Sequence, residues 1–191
     1  MSKQQAPSKG GRGARQRILD AAAELFYREG INATGVERLA TESSVSKRTL
    51  YQHFPSKTAV VEEYLRSIEH RVANPPQGAG QTPRERLLAV FQAPTARGGP
   101  LRGCPFHNAA VEAAGAMPGV KEIVRASKRS FINGLAELAE QAGAADPQLL
   151  GKELGVLYEG AAALATSLDD SSPWAQARAA AETLIDQAFN G

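Results

Sequence analysis

In Thr82-Pro83, Asp146-Pro147 and Ser172-Pro173 a proline directly follows a residue that can cap a helix. A proline has no N–H and a fixed φ, so it suits the first helical position and interrupts almost any other. Met117-Pro118-Gly119 marks a further start, and Glu85, three residues after Thr82, completes a capping-box pattern. Between these marks apolar residues recur at helical spacing, and no stretch alternates with period two over a useful length. The spacing therefore predicts an all-α chain. In its second part, helices are expected near 83–93, 104–115, 119–142, 147–169 and 173–189. With four more helices before residue 73, about nine are expected in all.

The N-terminal third is punctuated more tightly. Residues 1–13 are polar, aperiodic and rich in Gly, Ser, Pro and Lys, which predicts a disordered basic arm. From Ala14 to Glu29, Ile18, Ala22, Leu25 and Phe26 share one helical face, and Gly30 is placed to end that helix. Thr34 and Glu37 have capping-box spacing ahead of a short helix, about 35–42. Ser43-Ser44-Val45 breaks it, Ser46 can cap a third helix to about His53, and Pro55 ends that one. Ser56 can cap a longer fourth helix carrying Val61, Tyr64, Leu65, Ile68 and Val72. Two short helices joined by a three-residue break form a helix-turn-helix pattern, in which the first braces the second for entry into a DNA major groove. Leu50 and Phe54 would pack inward with Val45 and Leu39. Lys47, Arg48, Thr49, Tyr51 and His53 remain outside, able to donate to phosphates and base edges. Lys57, at the start of the next helix, can add a phosphate contact.

Charge placement agrees. Residues 1–58 carry ten Lys/Arg against five Asp/Glu, and the remainder twelve against fifteen. A basic first third on a mildly acidic body predicts a polyanion partner for that third alone. No apolar run approaches the ~18 residues of a membrane span, and no secretory apolar stretch opens the sequence, so a cytoplasmic home and no membrane partner are expected. One cysteine, Cys104, allows no internal disulfide, and with three scattered histidines it makes no metal-ligand spacing. No phosphate loop, dinucleotide fingerprint, nucleophile elbow or paired carboxylates can be named, so neither an enzyme nor a cofactor is expected.

These residues resemble a known family. Arg17-Ile18-Leu19-Asp20-Ala21-Ala22, Leu25-Phe26, Gly30, Thr34, Leu39-Ala40, Val45-Ser46 and Thr49-Leu50-Tyr51-Gln52-His53-Phe54-Pro55-Ser56-Lys57 look like the DNA-binding domain of TetR-family transcriptional regulators. The resemblance implies an all-helical homodimer: a three-helix DNA-binding head at 14–57 and a ligand-sensing, dimerising body at 58–191. It further implies repression at a palindromic operator in double-stranded DNA, relieved when a small-molecule effector binds. Matching positions make Ser46, Lys47, Arg48, Thr49, Tyr51, His53 and Lys57 candidate DNA contacts, and Thr34 a phosphate contact at the second helix. One departure is Ser44, where the family usually has glycine in the turn; a left-handed Ser there costs roughly 1 kcal/mol. Arg12 or Arg15 could also reach a minor groove.

Two body helices show heptad spacing. In 147–169 the seam is Leu150, Leu154, Leu157, Ala161, Leu164 and Leu168, and in 173–189 it is Trp174, Ala177, Ala181, Leu184 and Ala188. Core within one chain is the simpler account. Apolar residues beyond each seam (Leu149, Val156, Ile185, Phe189) leave room for a second face, so the seams are expected to form a dimeric four-helix bundle. Cys104, His107, Asn108 and Glu112 stand at the start of an otherwise alanine-rich helix, in a Gly-Cys-x-x-x-Asn segment that resembles a subset of TetR-like regulators. They are expected to orient a ligand in an apolar cavity lined in part by Phe91, Phe106, Phe131 and Tyr158. Cys104 near a helix N-terminus offers an alternative, a redox- or electrophile-sensing repressor.

Overall fold

A computed structural model describes residues 13–72, 81–93 and 102–189. Among them are nine helices and no strand: α1 (Ala14–Arg28), α2 (Val36–Glu42), α3 (Lys47–His53), α4 (Lys57–Val72), α5 (Pro83–Ala89), α6 (Pro105–Glu112), α7 (Pro118–Ala142), α8 (Pro147–Leu168) and α9 (Ser172–Phe189). The basic arm, with Arg12, lies outside the described residues.

Proline punctuation sets most of the body. Pro83, Pro105, Pro118 and Pro147 each open a helix. Thr82 and Glu85 form both halves of the capping box, and the Asp146 carboxylate accepts the Leu149 N–H at 2.9 Å. At α9, Ser172 is the first helical residue rather than the residue before it, and it donates both its N–H and its hydroxyl to the Asp170 carboxylate. The helices α5 and α6 end earlier than their apolar spacing suggests, at Ala89 and Glu112.

A second correction concerns the entry to α2. Gly35 is the N-cap, and no side chain caps it. Thr34 is fully buried, with both its hydroxyl (2.7 Å) and its N–H (3.3 Å) donated to the Gly30 carbonyl. The threonine therefore locks the turn between α1 and α2. Its side chain has neither the exposure nor a free donor to serve as the expected phosphate contact.

Buried side chains fall into two cores. The first joins α1 to α4 but also takes in Phe106 and Ala109 of α6, Ala113, and Val120 and Val124 of α7. The second joins α5, the far half of α7, α8 and α9. Packing thus continues from the N-terminal helices into α6 and α7, and Cys104 touches both cores. The close approach of α7 and α8 depends on glycine: a Cβ at Gly151 would stand 2.8 Å from the Ala136 nitrogen. Any side chain there would push the two helices apart.

Candidate functional site

The segment α3 is short and buries a single residue, Leu50, with Phe54 beneath its end. Full burial of such a leucine contributes about 1.5–3 kcal/mol, so one inward residue in seven can still seat the helix. Ser46 caps it, accepting the Thr49 N–H at 3.0 Å and pairing with the Thr49 hydroxyl at 2.9 Å. The turn ahead of it has Ser44 in the left-handed region (φ 53°), held by its N–H on the Thr41 carbonyl. The serine thus adopts the conformation that glycine would favour. Arg17 ties α1 to the same turn through Nε and the Ser43 carbonyl, at 3.1 Å.

The outer surface of α3 is cationic and aromatic. Tyr51 is 47% exposed, which leaves its ring edge and hydroxyl open to a partner. Lys47, Arg48 and Gln52 are exposed, while Thr49, His53 and Lys57 are half-buried. Lys47 is already paired: Nζ meets Glu37 Oε1 of α2 at 2.5 Å. That hydrogen bond raises the Lys47 pKa and lowers that of Glu37. Burial lowers the Lys57 pKa, opposed by the Glu112 carboxylate. Arg15, a candidate minor-groove residue, is instead on α1, paired with Glu63 at 2.5 Å and stacked over Phe54 at 5.3 Å. It braces the head.

A second feature lies where the two cores meet. An open cleft of about 290 Å³ runs between α6 and α8, approached by Arg102 and Gly103. On the α6 side it is lined by Cys104, His107, Asn108, Val111 and Glu112, and on the α8 side by Glu159, Ala162, Ala163, Thr166 and Ser167. The four polar candidates from the α6 segment therefore do share one cavity wall. Lys128 of α7 reaches the same place, with Nζ 3.3 Å from Cys104 Sγ and in contact with Glu159. His107 Nδ1 is 3.9 Å from the other Glu159 oxygen.

The aromatic candidates do not line this cleft. Phe106 faces the first core, and Phe91 is buried in the second. Phe131 and Tyr158 pack ring against ring at 4.7 Å, and Trp174 closes on Tyr158 at 5.2 Å, forming a core cluster. Burial raises the Tyr158 pKa, and the phenol stays neutral. Large rings are drawn inward because they bury the most apolar area, which leaves the cleft without an aromatic wall. The α8 side of the cleft, with its polar Thr166, Ser167 and Glu159, and Lys128 beside it were not anticipated from the sequence. Of these, Lys128 and Glu159 carried a readable signal, since each interrupts an apolar helical stripe: Lys128 falls between Val124 and Phe131, and Glu159 between Gly155 and Ala162.

The heptad seams need a larger correction. Leu150, Leu154, Ala161, Trp174, Ala177 and Ala181 are buried within the single chain, and Leu157, Leu184 and Ala188 pack against the same core. They are intrachain core. Only Leu164 and Leu168 of the seams are exposed, at 53% and 63%. The same outward side of α8 presents Leu149 and Val156, the latter 73% exposed. Both seams and this outer stripe obey helical spacing, and packing of α8 on α7 and against α9 turned the seams inward.

Comparison with known proteins bears on both features. Residues 18–64 match the family model described as bacterial regulatory proteins, tetR family. Residues 83–181 match the model described as Tetracyclin repressor-like, C-terminal domain. The chain is 38% identical over 85 residues to the HTH-type transcriptional activator FasR of Mycolicibacterium smegmatis, covering 41% of this chain and 37% of that protein. It is 41% identical over 59 residues to the HTH-type transcriptional repressor KstR2 of Rhodococcus jostii, covering 31% and 29%. These matches span well under half the length of those relatives. Among solved structures, a TetR-type regulator of Streptomyces avermitilis is similar at 31% identity and a TM-score of 0.74, over 92% of this chain and 97% of that one. Another, from Streptomyces coelicolor, is similar at 26% identity and a TM-score of 0.76, over 92% and 96%.

Proposed function

This chain belongs to the TetR family of bacterial transcriptional regulators, which are not enzymes, and from that premise we propose that it is a homodimeric repressor released from a palindromic operator by a small molecule. The observation that carries the reading is the pairing of an exposed Lys-Arg-Tyr surface on α3 with a cleft whose α6 wall shares the head's own core. On this reading Lys47, Arg48 and Tyr51 enter a major groove, with Ser46, Thr49, His53 and Lys57 at its edges. Cys104, His107, Asn108 and Glu112 meet the effector. No described helix is long and apolar enough to cross a membrane, and action on DNA puts the protein in the cytoplasm.

The dimer face on this reading is the outer stripe of α8, Leu149, Val156, Leu164 and Leu168, with the small exposed Ala175, Ala179 and Ala180 of α9 beside it. A two-fold axis there would set two α3 helices against successive major grooves, about 34 Å apart. An effector moves the equilibrium only by its differential affinity for the two states, so ~100-fold release requires about 2.7 kcal/mol of coupling. The levers are α4, which joins head to body, and α6, which packs on the head. Selection of bound sequences from a random DNA pool tests the reading. It should return a two-fold symmetric site bound about a thousandfold or more above random DNA. Recovery of no preferred sequence would refute it.

A second reading has Cys104 capturing an electrophile or oxidant. The Lys128 ammonium beside its sulfur favours it, as a counter-ion for the attacking thiolate. If Cys104→Ser leaves release by thiol-reactive compounds unchanged, this reading fails and Cys104 is packing.

A further inference from the structure

The turn between α1 and α2 is gripped by the body through two residues that also line the cleft. Glu112, the last residue of α6, accepts the Asn32 N–H on Oε2 at 3.1 Å and the Asn32 side-chain amide on its own carbonyl at 2.8 Å. Arg102 donates Nε to the Tyr27 carbonyl near the end of α1, at 3.0 Å. The two side chains stand 3.5 Å apart, Arg102 Nη2 to Glu112 Oε1. Gly30 makes room for them. Its φ is +97°, and a Cβ there would lie 2.8 Å from Glu112 Oε2 and 3.3 Å from Arg102 Nη2. The glycine is thus required twice, by its backbone conformation and by the carboxylate that occupies the space of its side chain.

We infer that Glu112 and Arg102 form a latch through which the occupant of the cleft sets the pose of the DNA-binding head. The inference rests on the proposed reading of the cleft as the effector site. The path is short: Glu112 holds Asn32, the turn from Gly30 to Gly35 fixes the start of α2, and α2 braces α3. The weakest contact is the Arg102–Glu112 pair, whose 3.5 Å separation is longer than a good charged hydrogen bond. An effector that engages either side chain acts first on that contact. The released turn then orders itself afresh on every operator encounter, and the operator bears that entropy. Glu112 and Arg102 are positioning residues in this scheme, since neither is expected to touch DNA.

The test uses the full-length protein and an operator selected from a random pool. Glu112→Ala, which removes the acceptor of the Asn32 N–H, and Asn32→Ala, which removes the donor to the Glu112 carbonyl, should each weaken operator binding about tenfold, and together less than the sum of the two losses, because both bonds hold the same turn. Random-DNA affinity should stay within about twofold, since no phosphate-contacting side chain is removed, and Glu112→Gln accounts for the charge that Glu112 sets against Lys57. The Asn32 amide should exchange its hydrogen about tenfold faster while amides of α8 keep their rates. Glu112→Gln keeps an acceptor for the Asn32 N–H and should restore most of the affinity, which also guards against misfolding of the alanine variant. Operator affinity unchanged in all variants, additive losses in the double variant, or exchange rising across the whole chain would each overturn the latch. A protein that selects an operator yet ignores these substitutions defeats the latch alone. One that selects no operator defeats the larger reading.

Discussion

Both α3 and α8 leave bulky side chains in water, and the company those side chains keep differs. Around Tyr51, which is 47% exposed, stand Lys47, Arg48, Gln52 and His53. Around Leu164 stand Gly160, Ala163 and Leu168, with no charge among them, while Lys152, Glu153 and Glu159 border Val156 at the other end of the stripe. A phenol beside two cations suits a polyanion, where phosphate contacts position and aromatic and amide groups meet base edges. An aliphatic stripe flanked by small residues suits another apolar surface at close range. Exposure alone marks both surfaces, and chemistry separates them.

The largest expected effect comes from breaking the α8 side of that contrast. Val156→Glu with Leu164→Glu should give a folded monomer by sedimentation, since both side chains are exposed within one chain. Operator affinity should fall about a hundredfold or more, because two half-sites are no longer held together. Leu154→Ala sharpens the point. That leucine is fully buried, so the change should cost about 2–5 kcal/mol of stability and leave assembly of the surviving fold intact. If the double glutamate variant stays dimeric, the interface lies elsewhere.

Next in size is the α3 side. Tyr51→Ala should weaken operator binding by about 1–3 kcal/mol and random-DNA binding far less, as loss of a base contact does. Lys57→Ala should weaken both alike and lower the salt slope by about one unit, as loss of a phosphate contact does. Equal losses on both DNAs for Tyr51→Ala would move it from base reading to backbone support. A competition titration at two salt concentrations separates these outcomes.

How far the sequence could be read follows the same divide. In the head and along the helix starts, meaning was local. Prolines, caps and a three-residue break fix where the chain turns, and Leu50 and Phe54 have only one way to be buried. In the body, meaning depended on neighbours. The stripe Leu150-Leu154-Leu157-Ala161 and the stripe Leu149-Val156-Leu164 are both apolar at helical spacing. Only the arrival of α7 on Gly151 decides which faces inward. The cleft was half legible: its α6 wall is contiguous in sequence, whereas Lys128 and Glu159 come from two other helices and are joined only by packing. Thr34 misled for a related reason. Its spacing to Glu37 satisfies a capping box, but a buried carbonyl at Gly30 competed for the hydroxyl and won.

The smallest effect sharpens the contrast from within α3. Lys47 is held by Glu37, so DNA must replace a carboxylate that already satisfies it. The hydrogen bond to Lys47 sets the Glu37 pKa below its ordinary 4.5. For an acid lowered in the folded state, the pairing contributes above the ordinary value and is lost as pH falls through the lowered one. The Glu37 carboxyl carbon, followed by NMR, should therefore titrate below 4.5 and move back toward it in Lys47→Ala. Both groups are exposed, so the gain on release is modest: Glu37→Gln should strengthen random-DNA binding by about threefold or less, and most visibly at low salt. Weaker binding to both DNAs in Glu37→Gln would mean the reverse relation. Glu37 would then be holding Lys47 in the orientation that DNA needs, and the pair would belong to the contact surface rather than compete with it.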